Sequence, residues 1–270
     1  MKDKTEAGTY DFGKFEENSK ELERLIRQAS IALDLERKLW PECGLKDGMN
    51  VIDLGCGPGI TSTAMAEMVP NGNVTGVDIS EELIAVANQQ KDKKKVENLK
   101  FQTDNIYDLG VPENTYDFAY SRFLFQHLEH PLKALENVLR ILKPGGIYCI
   151  ADVDDAWLTV YPDLPDFNSF TQSAAIHQKN NGGDRFVGRK FTTYFYQVGF
   201  GNIKQFVVPI TSHDIGMKNF LDITTGFKME QIGPEQASES KKKLEKIYSL
   251  VDQPGAWGAV GVFVVMGVKS

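Results

Sequence analysis

The stretch VIDLGCGPG at 51–59 concentrates residue types that hold a ligand through backbone groups. Its apolar run ends in Asp53 and reads as a buried strand. Glycines at 55, 57 and 59 let the following turn pass within contact distance of a ligand at a helix N-terminus. Free N–H groups there favour something flat or anionic. Further on, GVDIS places Asp78 at the end of a second apolar run, where a carboxylate accepts hydrogen bonds from both hydroxyls of a ribose. A nicotinamide dinucleotide would require GxGxxG with its third glycine at position 60; that residue is Ile60, which counts against an oxidoreductase. The plain alternative for Asp53, Gly55, Gly57 and Asp78 is an ordinary strand–turn–helix.

Such a site needs strand ends on one side of a sheet, and the chain alternates strand and helix signals. Apolar residues at Leu22, Leu25, Ile26, Ala29, Leu33 and Trp40 predict a helix from Asn18, with Asn18 and Glu21 as a capping box and Pro41 as its stop. Met49–Leu54 is the first strand, followed by the glycine turn and a helix that ends before Pro70. Asn73–Ser80 is the second strand, with Ser80 capping a helix through Ala87. Strands at 99–104 and 116–121 follow. Pro131 opens a helix striped by Leu132, Leu135, Val138, Leu139 and Leu142, and GIYCIADVD is the fifth strand. Repeated strand–helix–strand units imply a parallel sheet with right-handed crossovers, a doubly wound α/β fold.

Beyond Asp152 the alternation stretches out. Segment 156–190 carries a helix with Phe167, Phe170, Ala174 and His177, then comes a helix from Phe191 to Val198 and a strand at 202–210. Segment 211–255 reads as two helices separated by Gly233-Pro234, and the last strand is 258–268. The expectation is one domain over 1–270, with a helical lid (1–40), a cofactor-binding core (41–155) and substrate-cap insertions at 156–190 and 211–255.

Composition narrows the partners. Lys+Arg 30 against Asp+Glu 37 gives a net charge of −7 over 270 residues, so no global positive field exists to hold a nucleic acid or an anionic membrane. Cys43, Cys56 and Cys149 have no CxxC spacing, which argues against a zinc site or disulfide framework and fits a reducing compartment. The first fifteen residues lack the apolar stretch of an export signal, and no run is long enough for a membrane span. These features predict a soluble, cytoplasmic protein.

Taken in order, VIDLGCGPG, GVDIS, TDNIYDL and YDFAYSRFLFQHLEHPLKALENVLRILKPGG resemble the class I S-adenosylmethionine (SAM)-dependent methyltransferases, especially small-molecule enzymes of the ubiquinone/menaquinone-biosynthesis type. The resemblance covers roughly 49–150. It implies a Rossmann-like seven-stranded, mostly parallel sheet whose last strand, 258–268, inserts antiparallel. It implies SAM as cofactor, with its methionine part over Gly55, Cys56 and Gly57, its ammonium near Asp53, and Gly59 also among the cofactor-binding residues. Asp78 would hold the ribose and Ile79 the adenine face. Asp104 would meet the adenine amino group, beside Asn105 and Ile106. Ser121 and Arg122, just after the fourth strand, would line the methyl-transfer face. Glu21, Arg24 and Gln28 on one helical face resemble an N-terminal lid in which Arg24 and Gln28 meet the SAM carboxylate and Tyr10 closes the entrance.

Methyl transfer from a sulfonium is an in-line displacement that alignment and water exclusion accelerate, so no obligatory catalytic motif follows. A general base helps only when the acceptor must lose a proton. His127, read as opening the helix after the fourth strand, is the candidate base; its alternative is a structural role near the cofactor. His177, His213 and Asp152 lie near the cap as possible substrate contacts, against solvated or capping roles. Arg122 pairs with either a substrate carboxylate or a protein acid. Asp154-Asp155 would begin a metal site, but no cluster completes it and a solvated loop is the better reading; KDKKK at 91–95 reads as an exposed helix end. Aromatic residues of the cap, Trp157, Tyr161, Phe167, Phe170, Tyr194, Phe195, Tyr196 and Trp257, form either an apolar substrate surface or the core of the inserted helices.

The leading expectation is a SAM-dependent methyltransferase acting at N, O or C of a small organic acceptor, with no metal. A non-catalytic SAM-binding module is the alternative from another class. A nucleic-acid methyltransferase is disfavoured by the acidic charge and by the lack of an [Asn/Asp]-Pro-Pro-aromatic motif after the fourth strand.

Overall fold

The computed structural model describes residues 9, 10, 12, 18–232, 235 and 237–270. In chain order the elements are α1 (Asn18–Glu42), β1 (Asn50–Leu54), α2 (Ile60–Met68), β2 (Asn73–Asp78), α3 (Glu81–Lys94), β3 (Leu99–Thr103) and β4 (Tyr116–Arg122). They continue with α4 (Pro131–Ile141), β5 (Leu142–Val153), β6 (Thr159–Tyr161), α5 (Pro165–Asn180), α6 (Phe191–Val198) and β7 (Gly201–Thr211). The last are α7 (Ser212–Ile215), α8 (Met217–Thr224), α9 (Ala237–Tyr248) and β8 (Trp257–Val268).

Val51, Ile52 and Leu54 of β1 are fully buried, as strands covered by helices on both faces must be. The sheet runs β3-β2-β1-β4-β5-β8, parallel from β3 to β5, with β8 antiparallel to β5. Val262–Val268 of β8 pair with both β5 and β7, so β8 inserts between them as the resemblance implies.

The strand count is eight rather than seven. The additional strand is β6, which pairs with Trp257–Ala259 where β5 no longer reaches. After β5 the chain turns through Asp155–Trp157 and returns to the edge of β8 for three residues. One core face gathers Trp40, Phe118, Phe170 and Phe220; the other gathers Phe125, Leu135, Tyr148 and Phe195. Each such side chain contributes about 1.5–3 kcal/mol on burial.

Several sequence readings are corrected. Pro41 lies inside the last turn of α1, where its ring forgoes one bond, to Arg37 O, without ending the helix, and the end is held by Leu45 N donating to Trp40 O at 2.9 Å. The Asn18 side chain lies outside the described residues, and Glu21 is taken up by Tyr10 and Arg24 rather than by a capping box. Helix α3 runs past Ala87 to Lys94, because Lys91, Lys93 and Lys94 fall in its last turn, where cations suit the helix dipole. Segment 211–255 holds α7, α8, a 3₁₀ turn at Gly226–Gln231, α9 and a further 3₁₀ turn; Gly233-Pro234 lies outside the described residues.

Asp154 and Asp155 are not a solvated loop: Asp154 is buried, the Asp155 side chain is 4% exposed, and both are ion-paired. Arg189 grips Asp154 in a two-pronged contact. Arg185 does the same to Asp155, at 2.7 Å and 3.0 Å, and Lys228 adds a third bond at 2.8 Å. Burial alone would raise the Asp155 carboxyl, but the two cations hold it down at about 2. These pairs bolt Arg185, Arg189 and the Gly226–Gln231 turn to the chain just after β5.

Among the described residues no helix is long and apolar enough to cross a membrane. No group of three His, Cys, Asp or Glu among them is placed to hold a metal ion.

Candidate active site

A cavity of ≈ 370 Å³ opens at the C-terminal ends of β1, β2 and β4. It lies where the strand order reverses between β1 and β4, the crevice in which open α/β sheets bind ligands. The glycine turn forms its floor. Gly55 N and Cys56 N donate to Val77 O at 2.8 Å and 3.0 Å, bending the chain back over β2. That bend needs φ of 70° at Gly55 and 52° at Gly57, the left-handed region that glycine enters without a Cβ penalty.

Three carboxylates meet there. Asp53 accepts from Ser62 Oγ at 2.5 Å, and burial raises its carboxyl to about 7 despite that bond. Asp78 accepts from Gly57 N at 2.8 Å and Ser80 N at 3.0 Å, yet burial still raises it above the usual carboxylate range. Asp104 accepts from Asn105 N at 2.8 Å and Gly110 N at 2.9 Å. Ile79, 44% exposed, Asn105 and Ile106 complete that wall.

The roof comes from α1. Glu21, Arg24 and Gln28 sit at helical spacing on one face, and all three line the cavity with Tyr10. Arg24 donates to both Glu21 oxygens at 2.6 Å and 2.7 Å and to Gln28 Oε1 at 3.1 Å; Tyr10 Oη donates to Glu21 Oε1 at 2.7 Å.

His127 lines the cavity from a 3₁₀ turn, Phe125–His127, ahead of α4 rather than at its start. Its Nδ1 lies 2.9 Å from Thr9 Oγ1. Burial, then Arg185 and Arg24, push the imidazole down to about 3. The imidazole is therefore neutral at pH 7.

Other expected residues separate. Arg122 lines the cavity and pairs with Glu36 at 3.2 Å, so it serves a protein acid. Ser121 does not line it: both residues belong to β4 itself, and side-chain alternation turns Ser121 to the opposite face, 3.0 Å from Tyr148 Oη. Gly59 is not in the wall either. At φ 79° it caps α2, and a Cβ there would meet Phe101 Cζ at 2.5 Å, so its role is packing. His177 lines the cavity, whereas exposed His213 and buried Asp152 do not. None of the eight cap aromatics reaches it.

Residues missed in the sequence are Gln126, Gln178, Asn181 and Phe227. Gln126 is a hub: its amide donates to Asp152 at 3.2 Å, its carbonyl accepts from Gln178 Nε2 at 2.7 Å and Asp184 N at 2.8 Å, and its Oε1 meets Arg185. Its Nε2 also donates to Phe123 O at 3.1 Å, but the partners that make it a hub, Asp152, Gln178, Asp184 and Arg185, are all distant in sequence, so no local pattern marks it.

Fold and cavity together define an open α/β protein of the doubly wound class with its main cavity at the switch point. More specifically, the chain belongs to the methyltransferase domain family, whose model matches residues 45–199. It is 35% identical over 131 residues to an uncharacterized methyltransferase of Schizosaccharomyces pombe, covering 46% of this chain and 47% of that one. It is 30% identical over 122 residues to a demethylmenaquinone methyltransferase of Listeria welshimeri, covering 45% and 49%. The chain thus spans about half the length of the curated relatives it matches. A SAM-dependent methyltransferase structure from Aquifex aeolicus shares the fold at TM-score 0.56 and 20% identity, over 94% of this chain and 99% of that one.

Proposed function

We propose that this chain transfers a methyl group from SAM to a small organic acceptor, at N, O or C. The observation that carries the reading is the convergence of Asp53, Asp78 and Asp104 with the positive-φ glycine turn in one cavity. Buried carboxylates raised above their normal range need a cation or several donors, and a sulfonium amino acid joined to a ribose offers both.

When bound, SAM supplies an electrophilic methyl on a positively charged sulfur. The Gly55–Gly57 backbone holds the methionine part, and Asp53 faces its ammonium. Asp78 takes the ribose hydroxyls; Ile79 packs on adenine, with Asp104, Asn105 and Ile106 at its edge. Tyr10, Arg24 and Gln28 act as a lid that excludes water, which is how alignment becomes rate. Residues 1–40 serve as this lid, 41–155 as the cofactor-binding core, and 156–190 with 211–255 as the cap over the acceptor. His127 orients the acceptor by a hydrogen bond, and an acceptor that must lose a proton delivers it elsewhere. Three free, buried cysteines fit a reducing cytoplasm.

The test is calorimetric titration of the full chain with SAM, S-adenosylhomocysteine and NAD in parallel. Micromolar binding of the two sulfur compounds and none of NAD is expected. NAD binding tighter than SAM would overturn the reading in favour of an oxidoreductase, and SAM binding with no turnover across an acceptor screen would favour a non-catalytic module.

A further inference from the structure

A second cavity, ≈ 40 Å³, lies behind the first. Gln28, Phe123, Gln126 and Phe227 line both and form their common wall. Beyond it the lining is mostly aliphatic, with Ile31 of α1, Leu158, Ile210 of β7, Ile223 of α8, and Val260 and Val262 of β8; the Thr224 hydroxyl there is spent on Phe220 O at 2.7 Å. Its charged edge is already engaged, since Arg185 is bound to Asp155 and Gln126. Protein interiors pack at crystal-like density, so an aliphatic void sharing a wall with a ligand cavity is space that a ligand group can fill.

Phe227 is one of the two aromatic rings in that wall. Its ring lies 4.9 Å from the Arg24 guanidinium and 5.5 Å from that of Arg185. The next residue, Lys228, is fully buried and tied to Asp155 at 2.8 Å, which anchors the turn carrying Phe227. The two guanidinium groups set the orientation of the ring, and Lys228 keeps its backbone in place.

We propose that the second cavity is the subsite for an apolar group of the methyl acceptor, entered when Phe227 turns aside. Its volume accommodates roughly three to four heavy atoms, at the ~10–15 Å³ that one water-sized group requires. The acceptor is therefore a molecule with a short alkyl group near its nucleophilic atom. This assignment rests on the methyltransferase reading above.

The experiment titrates normal alkanols, methanol to hexanol, into the full chain with and without saturating S-adenosylhomocysteine, following methyl resonances by NMR. Affinity should rise about fourfold per methylene to around butanol and then level off, with the Ile223, Val260 and Val262 methyls shifting. Val260→Phe, which fills the space, should abolish the chain-length dependence without changing the dissociation constant for S-adenosylhomocysteine. Phe227→Ala should move the plateau to longer chains. Should Val260→Phe fail to fold, Ile223→Phe fills the cavity from the α8 side. A flat series, an unchanged series in the filled variant, or displacement of alkanols by S-adenosylhomocysteine overturns the subsite while leaving the cofactor reading intact. Failure of S-adenosylhomocysteine to bind, with the alkanol series as expected, overturns the assignment to a methyl acceptor and separates the two claims.

Discussion

The Gly57 amide donates to Asp78 Oδ2 at 2.8 Å, tying the turn after β1 to the end of β2. Asp78 therefore has two tasks: it shapes the glycine turn and presents its remaining acceptor capacity to the cavity. Asp78→Ala should weaken SAM binding by roughly 2–3 kcal/mol, through lost charge-assisted bonds and a loosened turn. Calorimetry checks this, and an unchanged affinity would place the ribose elsewhere.

Asp53 should make SAM affinity depend on pH. Its carboxyl titrates at about 7 in the ligand-free site, raised by burial, and a cationic ligand prefers the ionised form. Affinity should therefore climb as pH rises from 5.5 to 7 and flatten above about 7.5, with proton release on binding at the lower end. Asp53→Asn should bind more weakly and with a flat profile. Calorimetry in buffers of different ionisation enthalpy measures both.

The same residue weakens the empty fold at neutral pH. A carboxyl raised from 3.8 to about 7 favours folding fully below about pH 4, and that contribution is lost as pH rises through 7. Asp152, raised by burial to about 7, adds in the same direction. Urea denaturation should thus show SAM stabilising the protein more at pH 8 than at pH 6.

Gly57 and Gly59 should differ on substitution although both have positive φ. A Cβ at Gly57 meets nothing within 4 Å, so Gly57→Ala should cost about 1–2 kcal/mol of backbone strain. At Gly59 the Cβ would meet Phe101 Cζ at 2.5 Å and Ala87 Cβ at 2.9 Å, which brings the total to about 2–5 kcal/mol. Chemical denaturation ranks the two, and equal losses would refute the packing role of Gly59.

Asp155→Asn should destabilise the chain by about 3–5 kcal/mol, because it leaves Arg185 and Lys228 buried without their counter-charge. Lys228→Met should cost less, since the two-pronged Arg185–Asp155 pair survives. The Asp155 contribution is present above about pH 4 and lost as pH falls through 2, the reverse of Asp53. Denaturation midpoints at pH 7 and pH 3 test the order and the sign.

The doubly wound sheet, the glycine turn and the acidic strand ends were legible in the sequence because each depends on residues close in the chain. Alternating apolar runs, a turn that needs φ above zero and a carboxylate at a strand end are local demands, so 51–59 and 73–80 announce themselves. Tertiary structure decided what depends on distant partners. Asp154 and Asp155 look like a polar loop until Arg185, Arg189 and Lys228 fold onto them. Ser121 looks equivalent to Arg122 until strand alternation turns it away. Nothing local to His127 shows that burial and two arginines lower its proton affinity. Gln126 and Phe227 carry no local pattern, because the cavities they divide exist only once α1, β4, β8 and the cap have packed together, and that closure depends on contacts between residues far apart in the chain.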